Sequence, residues 1–369
     1  MDGFVAILLL LTVVPIMIAT MCMPYLTRRT ESFGVLIPED VYHSNQLQSM
    51  RKQYAKVTGM FSLLAVVVFL LLSLILPNDQ QTTSILISVG VLFYIIGTFF
   101  VYLRFHRQMK QLKANEKWGK EKPQQTVIHT GFRDQKLTYS NGWFIISFVI
   151  SFAMIIITYW LYDQIPDSIP MQYNYSGEVT NWAEKSYRTV MVMPIMQVYL
   201  TILFLFINTM IGKAKQQLNA ENPEKSIQQT IVFRRVWSAY IIITGIALTL
   251  LFAVIQLSFI YPIDPTVLVV LPLLFGLAVT AGAIVLAFTT GQGGSRVKTS
   301  TGKKGEIIDR DDDQYWKLGQ LYFNPSDPAL FLEKRFGIGW TINFARPLAW
   351  IMFLVIILLA MGIPLLLVA

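Results

Sequence analysis

The sequence predicts an all-α polytopic membrane protein of eight transmembrane helices, with both termini outside and a small external hairpin between helices four and five. Three observations carry this. Of 369 residues, 54% are hydrophobic and 14% charged, against about 25% charged in soluble domains. Eight apolar stretches, near 4–25, 57–76, 83–102, 143–162, 190–211, 236–260, 266–289 and 347–368, contain no Lys, Arg, Asp, Glu or His. Each reaches the roughly 20 residues that a helix needs to cross a hydrocarbon core. Finally, 28 of the 30 Lys and Arg fall in loops 26–56, 103–142, 212–235 and 290–346, leaving Lys185 and Arg188 for the others. Cytoplasmic loops hold the excess of basic residues, so four connections are assigned inside and three outside. The net charge of +8 is thereby assigned to the inner membrane face, not to nucleic acid. Composition excludes a soluble enzyme and a disordered chain, and the single Cys22 excludes an intrachain disulfide scaffold.

The elements follow in order. The first span lacks a basic leader but is followed by Arg28 and Arg29, so it reads as an uncleaved anchor with its N-terminus outside, kinked at Pro15. In loop 26–56, Phe33 to Pro38 reads as extended and Glu39 to Lys56 as a polar helix. Gly90 and Gly97 lie seven apart on the third span, and Ala278 with Gly282 forms a small-residue pair on the seventh; both favour close helix packing. Arg104, Arg107, Lys110 and Lys113 form a basic stripe on a continuation of the third helix, suited to anionic headgroups. Rings at Trp143, Tyr162, Trp237, Tyr261 and Trp350 mark the interfaces. In external loop 163–189, Met171, Tyr173 and Tyr175 alternate with Gln172 and Asn174, Ser176-Gly177 reads as the turn, and Glu178 to Trp182 returns. Residues 291–305 read as a linker. Residues 306–346, with Trp316, Tyr322, Phe323, Arg335 and Trp340, read as a folded segment along the inner membrane surface, its rings at headgroup level. Asp311 to Asp313 read as a solvated acidic turn. The chain divides into 1–56, 57–142, 143–211, 212–289 and 290–369.

Catalytic and coupling chemistry is not found. Span polar groups are Gln197, Asn208, Gln256 and hydroxyls, which favour interhelical hydrogen bonds over substrate ligation. His43, His106 and His129 lack metal spacing, and Gly302-Lys303 fails the phosphate-loop pattern because Val297 and Lys304 stand where Gly and Ser or Thr are needed. Asp163, Asp167, Glu178 and Glu184 offer carboxylates without an accompanying nucleophile. The sequence is therefore read as a non-enzyme without cofactor or metal.

Tyr162, Pro166, Ile169-Pro170, Asn174, Gly177, Trp182 and Lys185, followed by Pro194, resemble the signature of the bacterial membrane family that includes the SdpI-type immunity protein. Gln172 stands where that family usually has His, and Ile165 replaces its Leu. Residues 311–350 are similar to a second, uncharacterised domain of Gram-positive bacteria. The resemblance implies a plasma-membrane protein of the toxin-immunity or envelope-stress type. Its partners would be the lipid bilayer and a secreted antimicrobial peptide or envelope component, met by Gln172, Asn174 and Lys185 on a loop shaped by Pro166, Pro170 and Gly177. The alternatives are a transporter or lipid-handling protein, and a sensor that sequesters a cytoplasmic regulator on segment 306–346.

Overall fold

The computed structural model describes residues 3–77, 80–118, 136–174, 177–216, 223–297 and 312–368. Tyr175, Ser176, His129, Asp311 and residues 298–305 of the expected linker lie outside them. Eight α-helices are described: α1 (Gly3–Leu26), α2 (Asn45–Ile75), α3 (Gln80–Asn115), α4 (Ile145–Trp160), α5 (Tyr187–Lys213), α6 (Pro223–Leu257), α7 (Pro265–Thr290) and α8 (Pro347–Val368). Seven, α2 to α8, are long and apolar enough to cross a membrane, α4 together with the 3-10 turn Asn141–Phe144 before it, and Val13–Leu26 of α1 is a shorter apolar helix. Side chains such as Leu74, 82% exposed, and Trp160, 83% exposed, suit a bilayer, where lipid takes the place of a protein core.

Local chemistry sets the boundaries. Ser44 caps α2 and Ser186 caps α5, its Oγ accepting from the N–H of Thr189 at 3.1 Å. Asp264 caps α7 just before Pro265, where a missing N–H costs nothing. The polar helix expected to start at Glu39 is a single 3-10 turn over Asp40–His43, and the rest merges into α2. The basic continuation of α3 is present.

Helices α4, α5 and α6 pack mutually, α8 lies on α5, α7 joins α6 to α1, and α2 links α1 to α3. Small and hydroxylated groups make these contacts, since apolar bulk gains nothing by leaving lipid. On α4, Ser147, Ser151 and Thr158 face inward while Val149, Ile156 and Trp160 face out. Gly97 admits the ring of Phe61, which any Cβ there would strike, and Tyr240 Oη donates to Val279 O at 2.6 Å beside Gly282.

Eight short strands form four antiparallel hairpins: β1 (Glu31–Ser32) with β2 (Val35–Leu36), β3 (Ser168–Tyr173) with β4 (Val179–Glu184), β5 (Trp316–Lys317) with β6 (Leu321–Tyr322), and β7 (Phe331–Glu333) with β8 (Trp340–Ile342). The β3–β4 hairpin sits at the start of α5. The other three gather at its far end, beyond Lys213, and form a cap.

Candidate functional site

The β3–β4 hairpin is built by the motif residues. Ile165 and Ile169 are buried against Val190 of α5 and Phe259 beyond α6. Pro170 opposes Trp182, and the register shifts between Pro170 and Gln172, leaving Met171 as a bulge. Asn174 closes the turn: its N–H donates to Glu178 O at 2.8 Å, its Nδ2 to Glu178 Oε2 at 2.8 Å, and its Oδ1 accepts from the N–H of Glu178. Gly177 takes φ +82°, where a side chain would be strained, and its open side faces Pro265 of α7. Lys185 ties the base, its Nζ donating to Ile165 O at 2.7 Å and lying 4.8 Å from the ring centre of Tyr162. Tyr162 stacks on Tyr187 at 4.0 Å.

Of the three expected contact residues, the structure thus turns two inward. Asn174 and Lys185 hold the loop together, and Gln172 alone presents an exposed side chain. Pro166 is exposed before β3. Gln172 pairs with Asn181, and Trp182, opposite Pro170, is 55% exposed. The three span amides are buried in helix contacts. Gln197 Nε2 donates to Thr249 O at 2.9 Å, and Gln256 Nε2 to Thr158 Oγ1 at 2.9 Å and Val190 O at 3.0 Å. Asn208 accepts from Ser238 Oγ at 2.6 Å and donates to Asn141 Oδ1 at 2.7 Å. Together they weld α4, α5 and α6 beneath the hairpin. They follow the interhelical reading, not that of a polar transport cavity.

Residues 149–198 match DUF1648. This family model, described as a domain of unknown function, covers most of α4, the hairpin and the first half of α5. A second model, DUF5808, described as a family of unknown function, matches residues 325–350. No curated protein and no solved structure matches the chain. The DUF1648 stretch contains every hairpin residue above, so its polar positions are largely explained by loop geometry. Both matches agree with an uncharacterised membrane family.

The DUF5808 stretch lies in the cap, and here the structure corrects the sequence reading. In segment 312–346 most of the rings are buried or half-buried within the protein rather than exposed on a surface. Trp316 and Tyr322 are buried in their own cluster with Leu332, and Phe336 packs among Phe33, Tyr54, Tyr102 and Phe105. Trp340 is half-buried, its ring 5.3 Å from Phe233, and only Phe323, 45% exposed, projects among the five expected surface residues. Nor is the acidic run a solvated turn. Asp312 and Asp313 pair with the guanidinium of buried Arg335, and Lys113 Nζ reaches Asp313 Oδ2 at 2.8 Å. The inner end of the basic stripe is therefore structural.

The centre of the cap is Glu333, 0% exposed, which pairs with Arg28 beyond α1 and with Arg234 of α6 at 3.1 Å. Lys215 pairs with Asp327, which also accepts from Tyr322 Oη at 2.8 Å. Gln292 clamps the β7–β8 loop, donating to Lys334 O and Gly339 O and accepting from the N–H of Gly339 at 2.8 Å. Phe33-Gly34, both at positive φ, forms the β1–β2 turn, and any Cβ on Gly34 would lie 2.5 Å from Gly319 O. His106 Nδ1 donates to Phe33 O at 2.8 Å.

Burial sets the electrostatics. Glu31, 3.8 Å from Arg28, is pushed up to about 7 by desolvation despite Arg28 and Arg335, with Asp312 and Asp313 adding to the rise. Desolvation also acts on Asp313, but Arg335 and Lys113 outweigh it and hold its carboxyl below the usual range. Burial lowers His106, against the hydrogen bond to Phe33 O that raises it, and lowers Lys334. Among the described residues no group of three His, Cys, Asp or Glu could hold a metal ion.

Proposed function

We propose that the chain is a non-enzymatic plasma-membrane protein of Gram-positive type in which α1 completes an eight-span bundle with both termini outside. The DUF1648 hairpin faces the exterior and meets a secreted peptide or envelope component, in the manner of toxin immunity or envelope-stress proteins. One observation carries this: the hairpin is anchored through Ile165, Ile169 and Lys185 over a welded α4–α5–α6 trio, yet leaves Gln172 and Trp182 exposed. A fixed display of this kind suits recognition, because a preorganised loop gives up little entropy on binding. The buried amides, taken up in helix contacts, leave the transporter reading without a polar midplane site of its own.

The test is deletion of the gene and challenge with peptide toxins from the same or related strains. The reading predicts increased sensitivity to at least one peptide, restored by the wild-type gene and not by a hairpin-deleted one. Unchanged sensitivity across the panel contradicts the immunity form.

A second reading, a sensor holding a cytoplasmic regulator, draws support from Leu318, Leu321 and Phe323, which form an exposed apolar tip on the cap. Pull-down with full-length protein, compared with Phe323→Ser, tests it: loss of a retained regulator in the variant supports it, and equal retention contradicts it.

A further inference from the structure

We propose that the outer edge of β4 receives an extended cationic peptide by strand addition, pairing through the backbone of Trp182 and Glu184. This rests on the external, peptide-meeting reading of the hairpin and names the partner's chemistry.

The register defines the edge. Lys185 N–H donates to Asp167 O at 2.8 Å, so residues 167 and 185 form a hydrogen-bonded pair. Pairs then alternate along an antiparallel ladder. Ile169 with Ala183 is the next bonded pair, while Ser168 with Glu184 and Pro170 with Trp182 are non-bonded. The N–H and C=O of Trp182 and Glu184 therefore point away from β3. Among the described residues neither has a backbone partner on that side. An unpaired edge of this kind is a template for another strand.

The hairpin's two edges are not equal. At the matching outward position, β3 carries Pro170, which has no N–H, and the Met171 bulge follows it. On β4 the sequence Val-Thr-Asn-Trp-Ala-Glu holds no proline, and its own register shift falls at Thr180, toward the turn from the Trp182–Glu184 stretch. One edge is blunted and the other is open.

Charge selects the partner. Asp163, Asp167, Glu178, Glu184 and Asp264 are exposed at this end of the bundle. Of the two cations there, Lys185 is engaged with Ile165 O, which leaves Arg188 exposed. This net acidic rim favours a basic peptide, the more so at low salt. Trp182 and Glu184 lie two residues apart on one side of β4, so a strand with a basic residue at every second position sets its cations over the Glu184 carboxylate and the Trp182 ring.

The test uses the full chain in phosphatidylcholine nanodiscs and a fluorescent alternating Lys–Val decapeptide, read by anisotropy. Binding above that to protein-free nanodiscs is expected, weakening as salt rises. The same peptide N-methylated throughout keeps its charge but loses its donors, and is expected to bind at least about tenfold more weakly. Glu184→Gln is expected to weaken binding about threefold and Glu184→Pro, which also removes an outward N–H, at least about tenfold. Equal binding of the N-methylated peptide, or equal uptake by protein-free nanodiscs, overturns the proposal; the first leaves only electrostatic attraction and the second only lipid partition. The N-methylated arm needs no protein variant, so it stands even where Glu184→Pro misfolds. Toxin sensitivity in the deletion strain without probe binding would reject strand addition while sparing the functional reading. Probe binding with unchanged sensitivity would do the reverse.

Discussion

The hairpin and the cap close opposite ends of one helix bundle by opposite means. The hairpin is held by apolar residues, by the Lys185 and Asn174 side chains and by backbone hydrogen bonds, mostly among neighbours in sequence, and its carboxylates face outward. The cap is held by buried ions drawn from distant parts of the chain: Lys113 and Asp313 lie 200 residues apart, and Arg234 and Glu333 lie 99 apart. The difference teaches where each end can change. A locally closed loop tolerates exchange of its exposed face, whereas an ion-locked cap fails as a unit when one charge is orphaned.

That contrast is sharpest at Glu333. Glu333→Ala leaves Arg28 and Arg234 buried without their shared carboxylate and is expected to destabilise the cap by about 3–5 kcal/mol. Thermal unfolding in detergent and limited proteolysis should both report it; an unchanged midpoint would break the comparison. Next is Ile169→Ala, which empties part of the hairpin's anchor and is expected to cost about 2–4 kcal/mol locally. Hydrogen exchange should rise in 165–174 and stay unchanged in 312–346.

The cap should also respond to pH. Glu31 is raised when folded, so its contribution is full below its ordinary value of 4.5 and is lost as pH rises through about 7. Asp313 is lowered and acts in the opposite sense, its contribution being lost only as pH falls below the usual carboxylate range. Glu31 therefore contributes a decline in cap stability from pH 5 to pH 8, opposed by His106, whose lowered value makes stability rise with pH over the lower part of that window; Glu31→Gln should remove the declining component. The smallest effect is on the hairpin's face. Gln172→Ala is expected to change stability by under about 0.5 kcal/mol, whereas Lys185→Met removes a charge-assisted bond worth about 1.5–3 kcal/mol. Reduced protection against a peptide toxin by Gln172→Ala at unchanged stability would locate recognition there.

How far the fold was legible follows from distance along the chain. Apolar runs, the alternation at 171–175 and the proline and glycine punctuation are local, and they gave the helices and the hairpin. The merging of 45–56 into α2 was missed because its polar residues hid an uninterrupted helix capped by Ser44. The cap was misread because Arg335, Asp312 and Asp313 look like surface groups until they and Lys113 are brought together, and Glu333 until Arg28 and Arg234 are beside it. An ion network assembled from distant residues leaves no periodic signal. At the hairpin, the loop-closing bonds of Asn174 and Lys185 were not legible, because polarity alone does not reveal that a side chain closes its own loop.

The account depends on the hairpin facing outward and the cap facing the cytoplasm. Cys22 is the only cysteine, so a Cys22→Ser background allows Gln172→Cys and Phe323→Cys to be probed singly with a membrane-impermeant maleimide. Labelling of Gln172→Cys in intact cells, with Phe323→Cys labelled only after lysis, is the predicted result. The reverse pattern would contradict the orientation and, with it, the proposed recognition surface.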